Sequence, residues 1–235
     1  MNTTAQETSP RVLVFDVNET LIDIESLAPY FARIFGDAAV LREWFGQVVM
    51  YSMTVTLSAC YVDFFALGQA VLRMLAEVRG MSLSDDDVAA LSTAMATMPA
   101  HPDAADGLSQ LREAGYRLVT LTNSPHRSGR PTPLQNAGLQ HYFERQFTVD
   151  EHQVFKPAAA LYRRTAQELG VHASECLMVA AHAWDTIGAQ AAGYSGALIT
   201  RPGNAQLRAR GIPQPNYVAT DLIDLAQQLQ VTRNA

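Results

Sequence analysis

The stretch Arg11 to Asp23, which reads RVLVFDVNETLID, constrains the fold more than any other part of this sequence. Its four apolar residues, Val12 to Phe15, run without interruption into Asp16. They are too few for a helix, so they predict a strand that is buried on both faces. Ligands in open α/β sheets bind at the carboxyl ends of the strands. Asp16 is therefore a candidate for chemistry, and the alternative is an aspartate that only caps a turn or a helix.

The second half of the chain alternates strand-like and helical segments. Further strands are predicted over 116–121, 147–149, 176–180 and 197–199, and helices over 103–114 and 158–169, ended by Gly115 and Gly170. Strands that alternate with helices indicate a parallel sheet covered by helices, so the predicted fold class is α/β.

Residues 27–97 have a different character, because helical spacing of apolar residues replaces strand-length runs. A separate helical unit is therefore expected between the first and second strands. Within it, Ser84 followed by three aspartates predicts a helix start. The stretch Thr54 to Thr56 interrupts the pattern and either bends a helix or ends one.

Polar residues follow several of the predicted strands, at the points where the strands end. Because these ends meet at one edge of a parallel sheet, we expect the residues to converge there. The set contains Asp16, Thr122, Asn123, Lys156, His182 and Asp185.

Charge and composition limit the possible partners. The net charge is −6, from 17 basic and 23 acidic residues without a basic run, which argues against nucleic acid and membrane surfaces and favours a small soluble ligand. Cys60 and Cys176 match neither a disulfide framework nor a zinc spacing, so both are predicted to be reduced core residues. No signal-peptide core precedes Arg11 and no run approaches the ~20 apolar residues of a membrane span, which predicts a cytoplasmic protein.

The spaced motifs resemble those of the haloacid dehalogenase superfamily, and the match covers nearly the whole chain. Asp16 to Thr20 stands for the first motif DxDxT, Thr122 for the second, Lys156 for the third and Asp185 for the acidic fourth. The helical insertion after the first motif is similar to the cap that this superfamily carries there.

Within the superfamily the chain resembles the L-2-haloacid dehalogenases, through KPAAALY at Lys156 to Tyr162 and VAAHAWD at Val179 to Asp185. The resemblance implies a Rossmann-like parallel-sheet core over 10–23 and 99–231, with a four-helix cap domain inserted over 24–98. It further implies an Asp nucleophile, no metal or other cofactor, and a possible homodimer.

Three positions depart from that family. Aligning Trp44 with the family's cap tryptophan places Phe45 where an Arg normally assists halide departure. Ala180 and His182 stand where a Ser and an Asn are usual. These departures bear on the substrate more than on the fold or the covalent mechanism.

A nucleophilic carboxylate must be ionised, held still and shielded from water. The Lys156 ammonium is expected to keep Asp16 ionised, and the alternative is an ordinary solvated lysine. Asp185 is expected to orient Lys156 or the hydrolytic water, or simply to begin a helix. His182 could activate that water, bind the leaving anion, or donate a structural hydrogen bond.

The remaining candidates are expected to hold the substrate. The hydroxyls of Thr20 and Thr122 could bind Asp16 or a substrate carboxylate, or could cap turns instead. Other predicted contacts come from the backbone of Val17 and Asn18, the Asn123 amide, the Tyr162 hydroxyl, and apolar walls at Phe45 and Trp184.

Three functions compete at this point. The first is hydrolytic, metal-independent dehalogenation of small 2-haloacids to 2-hydroxyacids through an ester of Asp16. The second is a magnesium-dependent phosphatase acting on a small phosphate ester, in which Asn18 stands where a general acid is needed. The third is a catalytically silent member that binds a small acid or a protein partner.

Overall fold

A six-stranded parallel sheet forms the centre of the structure, a computed structural model that describes residues 10–234. The strand order is β3-β2-β1-β4-β5-β6. The strands are β1 (Val12–Phe15), β2 (Arg117–Thr122), β3 (Arg145–Thr148), β4 (Cys176–Ala180), β5 (Ser195–Ile199) and β6 (Tyr217–Ala219). The predicted α/β fold with a parallel sheet is confirmed.

Helices cover the sheet on both faces, which explains the unbroken apolar run of β1. Leu13 and Phe15 belong to one buried cluster, whereas Val12 and Val14 belong to a second. Alternating side chains point to opposite faces of a strand, so a strand with two covered faces needs apolar residues throughout. The helices that follow β1 in this core are α5 (Ala104–Glu113), α6 (Pro133–Asn136), α7 (Ala159–Leu169), α8 (Ala183–Ala191) and α9 (Leu222–Asn234).

Four α-helices lie within residues 27–97, ahead of α5 and β2, as the patterning of that stretch predicted. They are α1 (Ala28–Phe35), α2 (Val40–Leu57), α3 (Phe64–Val78) and α4 (Asp85–Ala96). The Ser84 hydroxyl caps α4 by accepting a hydrogen bond from the backbone amide of Asp87. Thr54 to Thr56 do not end α2, because the helix continues to Leu57. The bounds 24–98 for a separate domain stay a prediction.

Some expectations for individual segments were wrong or incomplete. Cys176 is buried as predicted, but Cys60 is exposed, because it lies in the turn after α2, next to Ala59 with a φ of 53°. Strand β6 and helix α9 were not anticipated. None of the helices within residues 10–234 has the length and apolar character needed to cross a membrane. The expectation about a signal peptide concerns mainly residues 1–9, which lie outside the described residues.

Candidate active site

Asp16 lies immediately after β1 and is the centre of a buried polar cluster. Its Oδ1 accepts a hydrogen bond from Lys156 Nζ at 2.8 Å, and its Oδ2 accepts one from Thr20 Oγ1, also at 2.8 Å. His182, which follows β4, places Nδ1 at 3.4 Å from Oδ2. The convergence expected at the carboxyl edge of the sheet is therefore present.

Lys156 bridges two carboxylates from inside the protein, since its side chain has no exposed surface. Besides Asp16, it donates to Asp185 Oδ2 at 2.5 Å. Asp185 lies in the first turn of α8 and also accepts a hydrogen bond from the Tyr162 hydroxyl, at 2.5 Å from Oδ1. Asp185 was expected either to orient Lys156 or simply to begin a helix, and in the structure it does both.

The charges in this cluster keep the nucleophile candidate ionised. Burial favours the neutral form of Asp16, but the charges of Lys156 and His182 outweigh it and hold the Asp16 pKa well below its usual range. Burial would lower the pKa of Lys156, yet Asp16 and Asp185 together raise it. The pKa of Asp185 is raised by burial and by the charge of Asp16, against the opposing effect of Lys156. At neutral pH the site therefore presents an Asp16 carboxylate beside an ammonium group.

The loop after β1 is held in place through Thr20. The Thr20 hydroxyl accepts a hydrogen bond from the Ala181 amide at 2.9 Å while donating to Asp16. The Arg201 guanidinium donates to the Thr20 carbonyl at 3.1 and 3.0 Å and pairs with Asp103 at 2.6 Å. Arg201 was not singled out from the sequence, because an arginine after a strand carries no local signal for this contact.

A second carboxylate, Glu19, lies next to the nucleophile candidate and was also missed. It is 2% exposed and has a positive φ of 68°. Its Oε2 accepts a hydrogen bond from His182 Nε2 at 2.7 Å, and its Oε1 contacts Arg42 of α2 and Asn204. Burial would raise the Glu19 pKa, but His182 and Arg42 lower it overall. Burial likewise would lower the His182 pKa, but contacts with Asp16 and Glu19 raise it to about 9.

The aromatic rings of Phe45 and Trp184 lie beside His182, and their predicted role as apolar walls around a substrate stays a prediction. The Trp184 ring stacks on the imidazole at 5.0 Å between centroids, and the Phe45 ring lies 5.6 Å away. Trp184 also lies 5.7 Å from Lys156 Nζ. Phe45 belongs to α2, so the helical insertion contributes one wall of the site.

Four of the residues predicted to contact a substrate have side-chain hydrogen bonds within the protein. Thr122 Oγ1 accepts from the Ser124 amide at 3.1 Å, and Asn18 donates to Ser124 Oγ at 2.9 Å. Asn123 Oδ1 accepts from the Lys156 amide at 3.1 Å, and Tyr162 donates to Asp185. Val17 is buried in the core. Asn123 and Tyr162 thus help to hold Lys156 and Asp185, and the contact of all these residues with a substrate stays a prediction.

The close approach of α8 to the Lys156 loop gives a stability prediction. A Cβ at Gly188 would lie 2.5 Å from Pro157 Cβ and 2.7 Å from its carbonyl oxygen. We expect Gly188→Ala to lower the free energy of unfolding by about 1–3 kcal/mol, since overpacking forces the backbone to move. Chemical denaturation measures the change in the free energy of unfolding. Gly46→Ala is the control, because that exposed helical position in α2 has no atom within 4 Å and should gain stability. Equal effects of the two changes would contradict the packing argument.

Comparison with known proteins tests the resemblance. Residues 10–193 match the family model of the haloacid dehalogenase-like hydrolases. The chain belongs to the haloacid dehalogenase-like hydrolase family. The family predicted from the four motifs is therefore confirmed.

Relatives of this hydrolase include (S)-2-haloacid dehalogenases. The (S)-2-haloacid dehalogenase 1 of Pseudomonas sp. (strain CBS-3) is 31% identical to this chain, over 81% of this chain and 85% of the relative's own length. The (S)-2-haloacid dehalogenase of Pseudomonas putida is 28% identical, over 92% of this chain and 95% of the relative's own length. The L-2-haloacid dehalogenase of Xanthobacter autotrophicus has a similar structure, with 26% identity, a TM-score of 0.82, and coverage of 94% and 98%. The Xanthobacter enzyme has also been solved with chloropropionic acid covalently bound. A homodimer and a cytoplasmic location of this hydrolase stay predictions.

Proposed function

We propose that this hydrolase converts small 2-haloacids to 2-hydroxyacids without a metal, in two steps that pass through an ester of Asp16. The observation that carries the proposal is the buried Asp16 carboxylate, held by Lys156 Nζ at 2.8 Å and Thr20 Oγ1 at 2.8 Å. An ionised carboxylate shielded from water and fixed on both oxygens is suited to nucleophilic attack on carbon.

In the first step an Asp16 oxygen gives an electron pair to C2 of the substrate, and the halide leaves with the electrons of its bond. In the second step water attacks the Asp16 carboxyl carbon and the ester bond to the substrate oxygen breaks. Phe45 and Trp184 supply apolar walls, while Asn123 and the backbone of Val17 and Asn18 bind the substrate carboxylate. The covalent chloropropionate of the Xanthobacter relative supports this route.

The geometry favours dehalogenation over phosphoryl transfer. Lys156 Nζ lies between Asp16 and Asp185, at 2.8 and 2.5 Å, so the two carboxylates that would bind a magnesium ion already share an ammonium. A divalent cation at the same place would meet strong like-charge repulsion. Asn18, two residues after the nucleophile, has no acidic proton to donate. A catalytically silent member is disfavoured too, because a catalytic site that is not used has no physical need for a buried charge cluster that costs stability.

Halide release tests the reaction itself. We expect release from 2-chloro- and 2-bromopropionate, with one enantiomer preferred, in metal-free buffer. Magnesium-dependent release of phosphate from phosphate esters, without any halide release, would favour the phosphatase instead.

Oxygen labelling tests the covalent route. After one turnover in heavy-oxygen water, the label should be in the Asp16 carboxylate, because water attacks the carboxyl carbon and not C2. Mass spectrometry of the peptide that contains Asp16 measures this. Labelled product together with an unlabelled Asp16 would contradict the ester intermediate.

A further inference from the structure

Glu19 is a buried carboxylate that the two steps above do not use. Its backbone has a φ of 68°, a conformation that non-glycine residues rarely adopt and that persists only where the surroundings stabilise it. Three side chains hold its carboxylate: Asn204 Nδ2 at 2.7 Å, His182 Nε2 at 2.7 Å, and the Arg42 guanidinium. The carboxylate is therefore fixed against one edge of the imidazole.

This contact determines which nitrogen of His182 can act on Asp16. A carboxylate only accepts hydrogen bonds, so Nε2 carries the hydrogen that is shared with Glu19. In the neutral ring the lone pair is then on Nδ1. Nδ1 lies 3.4 Å from Asp16 Oδ2 and is buried without a hydrogen-bond partner among the described residues. The free edge of the ring thus faces the carboxyl group that becomes the ester.

The charged groups around His182 change during the proposed reaction. The loop after β1 supplies Asp16 and Glu19. Helix α2 supplies the uncharged Phe45 and, through Glu19, the positive charge of Arg42. The uncharged Trp184 stacks on the ring, and the uncharged Asn204 donates a hydrogen bond to Glu19. Lys156 contacts Asp16 and links it to Asp185.

With Asp16 ionised, two carboxylates therefore hold the proton of the imidazolium ring. Esterification removes one of them, while burial continues to favour the neutral ring. The reaction itself thus releases the proton that blocks Nδ1.

We infer that His182 is the general base for hydrolysis of the Asp16 ester, with Glu19 as its positioning residue, and that it becomes a base only once Asp16 is esterified. The inference rests on the proposed function and assigns a role within the same site. It also gives the histidine at this position a use that its family counterpart, an Asn, could not have.

Atoms and electrons balance over the cycle. When Asp16 displaces halide, the proton on His182 Nδ1 passes to solvent. Nδ1 then takes a proton from water as the water oxygen bonds to the Asp16 carboxyl carbon. The tetrahedral intermediate breaks its bond to the substrate oxygen, which receives that proton and leaves as the hydroxyl group. The proton of the resulting Asp16 carboxylic acid returns to Nδ1, so haloacid and water yield hydroxyacid, halide and one proton.

The first test separates the two steps with His182→Asn. We expect one equivalent of halide per enzyme at nearly the wild-type rate, followed by a stall in which the Asp16 adduct accumulates. The steady-state kcat should fall by roughly 10²–10⁴-fold, the usual contribution of a general base. Rapid-quench halide assays and intact-protein mass spectrometry measure the burst and the adduct.

The second test uses Glu19→Gln, which keeps the shape of the side chain and removes its charge. Loss of that charge lowers the pKa of His182, so the neutral base persists to lower pH. The acid limb of ester hydrolysis in single turnovers should then move to lower pH by about one unit or more. Glu25→Gln is the matched control: Glu25 pairs with the same Arg42 but is exposed and does not contact His182, so its acid limb should stay in place.

Three outcomes would overturn the inference: burst and adduct decay slowed equally in His182→Asn, no accumulated adduct, or an unchanged acid limb in Glu19→Gln. Each presupposes that the wild-type protein releases halide. If the wild type releases none from any 2-haloacid, the proposed function fails first, and the two failures are thereby distinguished.

Discussion

Asp16→Asn is expected to abolish halide release, with a loss of about 10⁴-fold or more, the scale at which removal of a nucleophile acts in other hydrolases. An amide lacks the negative charge that makes the carboxylate oxygen a nucleophile for the displacement. The variant should still fold, because Lys156 keeps its contact with Asp185 at 2.5 Å. Ion chromatography of released halide, together with a thermal melt, measures both expectations.

The control for this variant is Asp23→Asn in the same loop. Asp23 caps the short helix Ile24–Leu27 by accepting a hydrogen bond from the Glu25 amide, and asparagine caps helices equally well. Its activity should therefore stay close to that of the wild type. Halide release by Asp16→Asn at a rate similar to that of the control would remove Asp16 from the mechanism.

Lys156→Met is expected to cause the largest loss of stability, about 3–5 kcal/mol in the free energy of unfolding, because it leaves Asp16 and Asp185 buried without their shared cation. The loss should depend on pH. In the wild type the Asp16 pKa is depressed, so its contribution is present above the ordinary value of 3.8 and is lost as the pH falls. In the variant both carboxyl groups can protonate at low pH and relieve the buried charge.

Burial without a cation raises the pKa of both carboxyl groups in the variant above the ordinary value. The difference between wild type and Lys156→Met should therefore begin to shrink above pH 4 and go on shrinking as the pH falls. Urea denaturation of both proteins over a pH series measures this difference in the free energy of unfolding. Arg73→Met is the control, because Arg73 forms an exposed pair with Asp85 and its loss should have almost no effect. A pH-independent difference would mean that packing of the lysine stem, and not its charge, dominates.

The sequence alone was informative where chemistry follows directly from local pattern. The apolar run Val12–Phe15 identified a strand covered on both faces and placed Asp16 at its end. The same reasoning placed Lys156 and His182 beside it, because the ends of parallel strands meet at one edge of the sheet. Strand β6 was not predicted, because its three residues are too few to form a recognisable apolar pattern. The exposure of Cys60 was not predicted either, because a residue in a turn belongs to no such pattern.

Only the tertiary structure decided which partner each side chain takes. Tyr162 was expected near the substrate, and its hydroxyl donates a hydrogen bond to Asp185. Three other residues of the site were not predicted from the sequence: Glu19, Arg42 and Arg201. The physical reason is that apolar periodicity reports which face of an element is buried, whereas a hydrogen bond depends on where two distant elements meet. Glu19 and His182 are 163 residues apart and meet only because β1 and β4 pair in register. The sequence thus determined the strand ends and the nucleophile candidate, and the packing of the helices and loops around Asp16 determined the contacts of Glu19 with His182 and Arg42.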